Sequence, residues 1–87
     1  MASYSLGYKP SVAKDLARIP RALLPRIWQS IEGLARVPFP RGVVKLAGSQ
    51  RLYRVRVGRY RIIYEVDDSA RSVTVHYVRH RRDAYRR

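Results

Sequence analysis

Four arginines lie close together in the middle of the sequence: Arg54, Arg56, Arg59 and Arg61. A guanidinium group stays protonated in proteins, and its planar fork of donors matches the oxygens of a phosphate group. Beside a reacting phosphate, such groups stabilise the negative charge that develops in the transition state. The four arginines therefore predict a site that binds an anion.

The run 52–64, which contains these arginines, reads as two strands joined by a tight turn. Gly58 takes the first central position of the turn, as a type II′ hairpin turn requires. This register sets Val55 opposite Ile62 on the expected core face and Arg56 opposite Arg61 on the other face, which holds all four arginines. Like charges that face each other on a sheet repel, so the pairing favours a bound anion over a merely solvated surface.

The composition also favours a polyanionic partner. The 87 residues carry 19 Lys and Arg against 6 Asp and Glu, a formal net charge of +13. A domain this basic attracts nucleic acid or acidic proteins. The chain has no cysteine, no apolar run long enough for a membrane span and no basic and apolar leader. We therefore expect a single domain over residues 1–87, no membrane partner and a cytoplasmic location.

The elements that must position the arginines follow from the spacing of apolar residues. Residues 3–8 alternate as a short strand, and a helix with Ser11 as its N-cap follows and ends before Pro20. A second helix begins between Arg21 and Pro25, because proline is tolerated in the first turn. Its expected buried stripe consists of Leu24, Ile27, Trp28, Ile31, Leu34 and Ala35.

Residues 36–50 read as a loop, and three antiparallel strands with a short C-terminal tail complete the chain. These strands are the two of the hairpin and a third over residues 72–78, after a turn at 67–70. The order predicts an α+β fold with the two helices packed on one face of the sheet. The first strand must join an edge of the sheet, beside either residues 52–57 or residues 72–78.

A four-residue turn at 67–70 also sets the expected register of the last strand. It places Tyr60 opposite Tyr77 on the core face and His76 opposite Arg61 on the arginine face. Other registers in which opposite residue numbers add to an odd number keep these faces and change only the pairs. The tyrosines assigned to the core are Tyr53, Tyr60, Tyr64 and Tyr77.

This order and four stretches of the sequence resemble the RelE toxins of bacterial toxin–antitoxin systems, within the RelE/ParE superfamily. The stretches are residues 14–20 (KDLARIP), 45–48 (KLAG), 52–66 (LYRVRVGRYRIIYEV) and 78–86 (VRHRRDAYR). The resemblance implies a RelE-like fold and an mRNA endonuclease that enters the ribosomal A site and cuts the bound codon. It also implies an acidic RelB-like antitoxin that wraps the toxin and blocks it.

The resemblance assigns site residues as well. The basic pair of the first hairpin strand falls on Arg54 and Arg56, and the arginine after the strand tyrosine falls on Arg61. The C-terminal arginine falls on Arg81 and the terminal tyrosine on Tyr85. This tyrosine either stacks on a base, donates a proton or packs the tail onto the sheet.

RNA can be cleaved without a metal by in-line attack of its own 2′-OH, which leaves a 2′,3′-cyclic phosphate. The protein must then orient the phosphate, neutralise charge and move two protons. The two histidines and six acids match no metal-ligand spacing, so we expect no metal and no other cofactor. The residues assigned to phosphate binding are Arg54, Arg56 and Arg59, and those assigned to catalysis are Arg61, Arg81, Tyr85 and His80.

The identity of the general base is open. Relatives often carry lysine where this chain has Arg54 and Arg56, and arginine is too firmly protonated to abstract a proton. Histidine titrates near neutrality, which makes His80 and His76 candidates. His80 is the better candidate because it neighbours Arg81 in the matching tail.

Two other functions share the same sequence features. A ParE-like toxin that inhibits DNA gyrase by protein binding has the same fold and basic character but needs no nuclease chemistry. A catalytically inactive module that binds nucleic acid or an antitoxin is the third reading. The arginine face and the pattern from Arg81 to Tyr85 favour the nuclease.

Overall fold

The computed structural model describes residues 3–48 and 51–82, which form two helices packed on one face of a five-stranded mixed sheet. The strand order across the sheet is β1-β5-β4-β3-β2, and the predicted α+β architecture with both helices on one face is confirmed. Within these two ranges, no helix is long and apolar enough to cross a membrane. The elements in chain order are β1 (Ser5–Tyr8), α1 (Ser11–Ala17), a 3-10 turn (Arg21–Leu23), α2 (Leu24–Gly33), β2 (Val44–Lys45), β3 (Leu52–Val57), β4 (Tyr60–Asp67) and β5 (Ser72–His80).

The two edge strands of the sheet were not fully predicted from the sequence: the partner of β1 was left undecided, and β2 was not predicted. The first strand, β1, pairs in parallel with β5, from Ser5 beside Ser72 to Tyr8 beside Val75. The other edge is β2, which pairs antiparallel with β3 and lies within the segment predicted to be a loop. A strand of two residues is too short to show an alternating pattern, so the apolar spacing gave no sign of it.

The helices begin and end close to the predicted positions. Helix α2 carries Pro25 in its first turn, and its buried side includes Ile27, Ile31 and Leu34. The assignment of Trp28 to the core is wrong, because this side chain is 37% exposed and packs edge-to-face against Tyr8, with ring centroids 5.9 Å apart. The buried stripe is narrow, and Trp28 lies on its flank.

The predicted N-cap of α1 is also wrong. Pro10 occupies the N-cap position without a capping side chain, and Ser11 is the first helical residue. The Ser11 hydroxyl donates instead to the backbone carbonyl oxygen of His76 in β5, at 3.2 Å. The serine therefore joins the helix to the sheet.

The central hairpin has the predicted register throughout. Val55 lies opposite Ile62 and Arg56 opposite Arg61. Gly58 adopts a φ of 59°, in the left-handed region that the turn requires and that glycine enters at little cost. The hairpin thus places Arg54, Arg56 and Arg61 on one face as the sequence predicted, whereas Arg59 lies in the turn.

The predicted register between β4 and β5 is wrong. Asp67 is the last residue of β4 and lies opposite Ser72, so the four-residue loop is 68–71 and starts one residue later than predicted. Within the loop, Arg71 adopts a φ of 53°. The Asp67 carboxylate accepts hydrogen bonds from the Ser69 hydroxyl at 2.8 Å and the Ala70 amide at 3.1 Å. These bonds hold the pKa of Asp67 below its usual value.

A β-bulge at His76 changes the sidedness of the rest of β5. Tyr64 pairs with Val75 but Ile63 pairs with Tyr77, so His76 has no partner on β4. Beyond the bulge, Tyr77 lies on the side of Ile63 and away from the helices, which contradicts its assignment to the core. The backbone groups around the bulge are satisfied by α1, because Asp15 accepts a hydrogen bond from the Val78 amide at 3.0 Å.

The core lies between the helices and one sheet face. Tyr64 is fully buried in it, and its hydroxyl donates to the Pro38 carbonyl oxygen at 2.7 Å. Burial raises the pKa of the Tyr64 phenol. Through this bond, and through Phe39 stacked edge-to-face on Tyr53 with centroids 5.0 Å apart, the sheet anchors the segment that leads to β2.

Replacing Tyr64 with phenylalanine tests this anchor. We expect Tyr64→Phe to lower the free energy of unfolding by about 1–3 kcal/mol, because it leaves a buried carbonyl without its donor. The matched control is Tyr53→Phe, since Tyr53 makes its aromatic contacts through its ring. Urea denaturation measures both, and equal midpoints for the two variants would contradict the anchoring role.

Candidate functional site

Arg61 is the one charged residue in the described ranges that is buried. Its side chain is 9% exposed and lies on the sheet face away from the helices, next to the arginines of β3. Its Nε and Nη1 atoms are both buried and have no hydrogen-bond acceptor among the described residues. Arg61 is therefore buried although it lies on the face that the helices leave uncovered.

A small cavity opens beside this guanidinium. It has a volume of about 220 Å³ and is lined by Gly42, Val44, Arg54, Arg56 and Arg61. Three of the predicted arginines therefore share one site. Gly42, in the segment that leads into β2, and Val44, in β2, line the rest of the cavity. Gly42 adopts a φ of 86°, which few other residues tolerate.

The structure adds an arginine that the sequence analysis missed. Because of the bulge, Arg79 of β5 lies directly opposite Arg61, which has Arg56 on its other side. The Arg79 guanidinium lies 4.2 Å from the centroid of the Tyr77 ring, a distance typical of a cation–π contact. A row of three arginines thus crosses β3, β4 and β5.

A sequence signal for this row existed. Buried valines follow at 73, 75 and 78, so the two-residue period of a strand is broken once before Val78. A single bulge between 75 and 78 restores all three valines to the core face. The same bulge moves Arg79 to the arginine face.

The other end of the same sheet face carries acidic side chains, and these form ion pairs with neighbouring basic side chains. Glu65 lies 3.0 Å from His76 Nε2 and 3.9 Å from Arg51, which also lies 3.2 Å from Asp67. His76 therefore contacts Glu65 and does not lie opposite Arg61 as predicted. The carboxylates on this face have their own partners, and neither is paired with Arg61.

Arg59 does not join the other three arginines. It lies in the hairpin turn, and with His80, Arg81 and Arg82 it lines a second, open cavity of about 600 Å³. The Arg81 amide donates to the Arg59 carbonyl oxygen at 2.6 Å, which ties the end of β5 to the turn. Tyr85 lies outside the described residues.

His80 is on the helix side of the sheet, since it lies opposite Tyr60 and packs edge-to-face against its ring at 5.3 Å. Its Nδ1 accepts a hydrogen bond from the Arg82 amide at 3.2 Å. In the neutral ring, the proton then resides on Nε2. His80 and Arg61 line different cavities, on opposite faces of the sheet.

The chemistry available at the Arg61 cavity is anion binding and charge stabilisation. Three arginines line this cavity, and no lysine or histidine that could exchange a proton is among its described lining residues. In the ranges 3–48 and 51–82, no group of three or more His, Cys, Asp or Glu side chains is arranged to hold a metal ion. Fold and cavity together define a small basic α+β protein with a cavity lined by three arginines on one sheet face.

Comparison with known proteins gives the family. The family of ParE toxins of type II toxin–antitoxin systems (parDE) matches residues 6–85. Toxin RelG of Mycobacterium tuberculosis is 32% identical over 88 residues, which cover 97% of this chain and 98% of RelG. The chain therefore belongs to the RelE/ParE superfamily of toxins, and it is a RelE-type toxin of a toxin–antitoxin system.

Solved structures agree with this assignment. The archaeal RelE–RelB complex from Pyrococcus horikoshii contains a chain with 31% identity and a TM-score of 0.80, covering 93% of this chain and 97% of that one. The isolated RelE toxin of Escherichia coli has a TM-score of 0.76 at 20% identity, covering 88% of this chain and 83% of its own, and shares the fold.

Replacing Arg61 with methionine tests the energetic cost of its burial. Arg61→Met removes the charge and keeps an unbranched side chain. In a buffer without phosphate or sulfate, we expect the free energy of unfolding to rise by about 1–3 kcal/mol, because an unpaired buried charge is costly and an apolar replacement is often stabilising.

Urea denaturation at constant ionic strength measures this change. Arg18→Met, at the exposed C-cap of α1, removes the same charge and should stay within about 0.5 kcal/mol of the wild type. A large loss of stability in Arg61→Met alone would show that the guanidinium has stabilising partners in the free protein.

Proposed function

We propose that this toxin is a ribosome-dependent mRNA endonuclease that cuts the codon in the A site and thereby stops translation. The observation that supports this most strongly is the cavity lined by Arg54, Arg56 and Arg61. Within the described residues, the buried Nε and Nη1 atoms of Arg61 have no acceptor. Arginines that line such a cavity suit the oxygens of a phosphate group. A message has such a group at every nucleotide.

The proposed reaction uses the 2′-OH of the message as the nucleophile. Its oxygen forms a bond to the adjacent phosphorus while the bond from phosphorus to the 5′ oxygen of the next nucleotide breaks. The products are a 2′,3′-cyclic phosphate and a free 5′-OH. One proton leaves the 2′ oxygen and another joins the 5′ oxygen, so a base and an acid are both required.

In this reaction the arginines hold the phosphate and stabilise its developing charge. Arg61, Arg54 and Arg56 bind the scissile phosphate, and Arg59 and Arg81 bind the message where it passes the end of the hairpin. Their role is electrostatic, because arginine does not release its proton. Because His80 lies on the opposite sheet face, proton transfer at this phosphate falls to Tyr85 or to groups that the ribosome supplies.

The partners follow from the same charges. We propose that an acidic RelB-like antitoxin binds the toxin and neutralises part of its charge of +13. Structures of RelE-type relatives in complex with RelB support this partner. The site of action is the translating ribosome, hence the cytoplasm.

Inhibition of DNA gyrase by protein binding is the second candidate. It is favoured by one observation, the match of residues 6–85 to the ParE family. The arginine cavity favours the nuclease, since a purely protein-binding toxin has no need of a buried unpaired guanidinium.

Primer extension on messages from cells that express the toxin separates the two functions. We expect cuts at fixed codon positions that disappear when translation is blocked. Purified ribosomes with a 2′-deoxynucleotide at the cut position should bind the toxin and leave the message intact. Uncut messages together with relaxed or broken DNA would overturn the nuclease and support the gyrase function.

Arg61→Ala and Arg81→Ala should both abolish toxicity. We expect each to slow single-turnover cleavage by about 10²–10³-fold, the usual cost of removing one donor that stabilises a transition-state charge. Neither should cause much loss of stability, as thermal unfolding will check. Arg18→Ala is the control for charge alone, and full killing by the Arg61 and Arg81 variants would refute the site.

His80→Gln tests proton transfer by the histidine. If His80 moves a proton in the reaction, cleavage should fall by about 10²–10⁴-fold and lose its pH dependence near neutrality. His76→Gln is the matched control, because His76 contacts Glu65. Wild-type cleavage rates in His80→Gln would remove His80 from the mechanism. A loss of cleavage confined to His76→Gln would assign proton transfer to His76 instead.

A further inference from the structure

A guanidinium group and an aromatic ring lie together on β5, beside the arginine cavity. The Arg79 guanidinium lies 4.2 Å from the centroid of the Tyr77 ring, inside the distance of roughly 6 Å that a cation–π contact requires. Both side chains are half-buried, so each keeps part of its surface in contact with solvent. Among the described residues, no carboxylate forms an ion pair with Arg79. The pair therefore presents a partly exposed, planar cation next to an aromatic ring.

The sheet register places this pair next to the cavity. Arg79 lies directly opposite Arg61 on the neighbouring strand, and Tyr77 lies opposite Ile63. Ile63 is only 2% exposed, although it lies on the sheet face that the helices leave uncovered. Its neighbours on the two adjacent strands are Arg54 and Tyr77. Side chains of the adjacent strands must therefore cover Ile63, and Tyr77 is the aromatic one of the two.

The size of the arginine cavity leaves the base of a bound nucleotide outside it. The cavity has a volume of about 220 Å³, whereas cavities that hold drug-sized ligands start at roughly 300 Å³. It has room for a phosphate group but not for the attached nucleoside. Along β4 the face becomes acidic at Glu65, whereas across the sheet the next strand carries Arg79, ~4.8 Å from Arg61 by the usual strand spacing. A message that crosses the strands thus brings its bases over β5.

We propose that Arg79 and Tyr77 form a platform on which one unpaired base of the message stacks, with the guanidinium between the base and the ring. Single-stranded RNA is recognised through bases that stack on aromatic rings or on the plane of an arginine guanidinium. Such stacking tolerates every base, because every base has a π face. The platform therefore adds affinity and orients a nucleotide without specifying the codon.

The two parts of this proposal differ in what they require. The position of the stacked base beside the cleaved phosphate rests on the proposed function. The stacking of a base on the platform does not, because it needs only that the protein binds single-stranded RNA.

Binding of a short RNA and of its abasic counterpart tests the platform. Both probes are fluorescein-labelled trinucleotides with 2′-O-methyl groups, so neither can be cleaved, and both carry the same phosphates. By fluorescence anisotropy, we expect the wild type to bind the base-bearing probe about 5–100-fold more tightly than the abasic probe, as stacking of one base predicts. Arg79→Lys keeps the charge but loses the planar group. This ratio of affinities should therefore fall at least threefold in Arg79→Lys, with an unchanged dependence of affinity on salt.

Arg71→Lys is the matched control. Arg71 also lies over a tyrosine ring, 5.6 Å from the centroid of Tyr4, but in the loop between β4 and β5. This variant should keep the wild-type ratio. Tyr77→Phe retains the ring and should also keep the ratio, whereas Tyr77→Leu should lower it, because the guanidinium then has no ring against which to lie. Circular dichroism and thermal unfolding check that each variant is folded.

The outcomes separate the platform from the nuclease. A wild-type ratio in Arg79→Lys, or an equal loss of the ratio in Arg71→Lys, would overturn the platform. A ratio that depends on Arg79, with no RNA cleavage by any preparation, would keep the platform and refute the nuclease. Cleavage that depends on Arg61, with a ratio that does not depend on Arg79, would do the reverse.

Kinetics on the ribosome provide a further check when both proposals hold. Arg79→Lys should then raise the toxin concentration that gives half-maximal single-turnover cleavage at least threefold. The cleavage rate at saturation should stay unchanged, because a stacked base binds the substrate and the transition state equally. A lower rate at saturation with an unchanged half-maximal concentration would contradict the stacking role.

Discussion

The bulge at His76 is the constraint on which the row of Arg56, Arg61 and Arg79 depends. One extra residue in β5 shifts the alternation of the rest of the strand, so that Arg79 lies opposite Arg61. Helix α1 takes up the backbone groups that the bulge releases, through the Ser11 hydroxyl and the Asp15 carboxylate. The first helix therefore determines which side chains occupy the opposite sheet face, although it packs on the other side.

At position 61, the residue that is present differs from the residue that would stabilise the sheet most. In a sheet built for stability alone, a buried residue between Tyr60 and Ile62 in a central strand would be apolar, or would have a carboxylate across from it. Here the two carboxylates on that face, Glu65 and Asp67, are engaged with Arg51 and His76. Neither carboxylate therefore neutralises the charge of Arg61.

The sequence predicted best those structural features that depend on residues close together in the chain. The hairpin register followed from Gly58 alone, because a two-residue loop leaves no freedom in the pairing, and with it came the grouping of Arg54, Arg56 and Arg61. The register of β5 could not be read in the same way, since it depends on tertiary bonds between α1 and the bulge. Arg79 was missed for this reason. The partner of β1 and the existence of β2 also rest on contacts between distant parts of the chain.

The distribution of charge on the sheet face favours one direction for a bound polyanion. Arg61 and Glu65 are four residues apart on β4, about 13 Å at ~3.3 Å per residue. This is longer than the Debye length of ~8 Å at physiological salt, so each end of the strand acts on the phosphate nearest to it. A phosphate backbone laid along β4 would pass from arginines to carboxylates, whereas one that crosses the strands stays over Arg56, Arg61 and Arg79. Because adjacent strands lie ~4.8 Å apart, this row spans about 10 Å across the sheet.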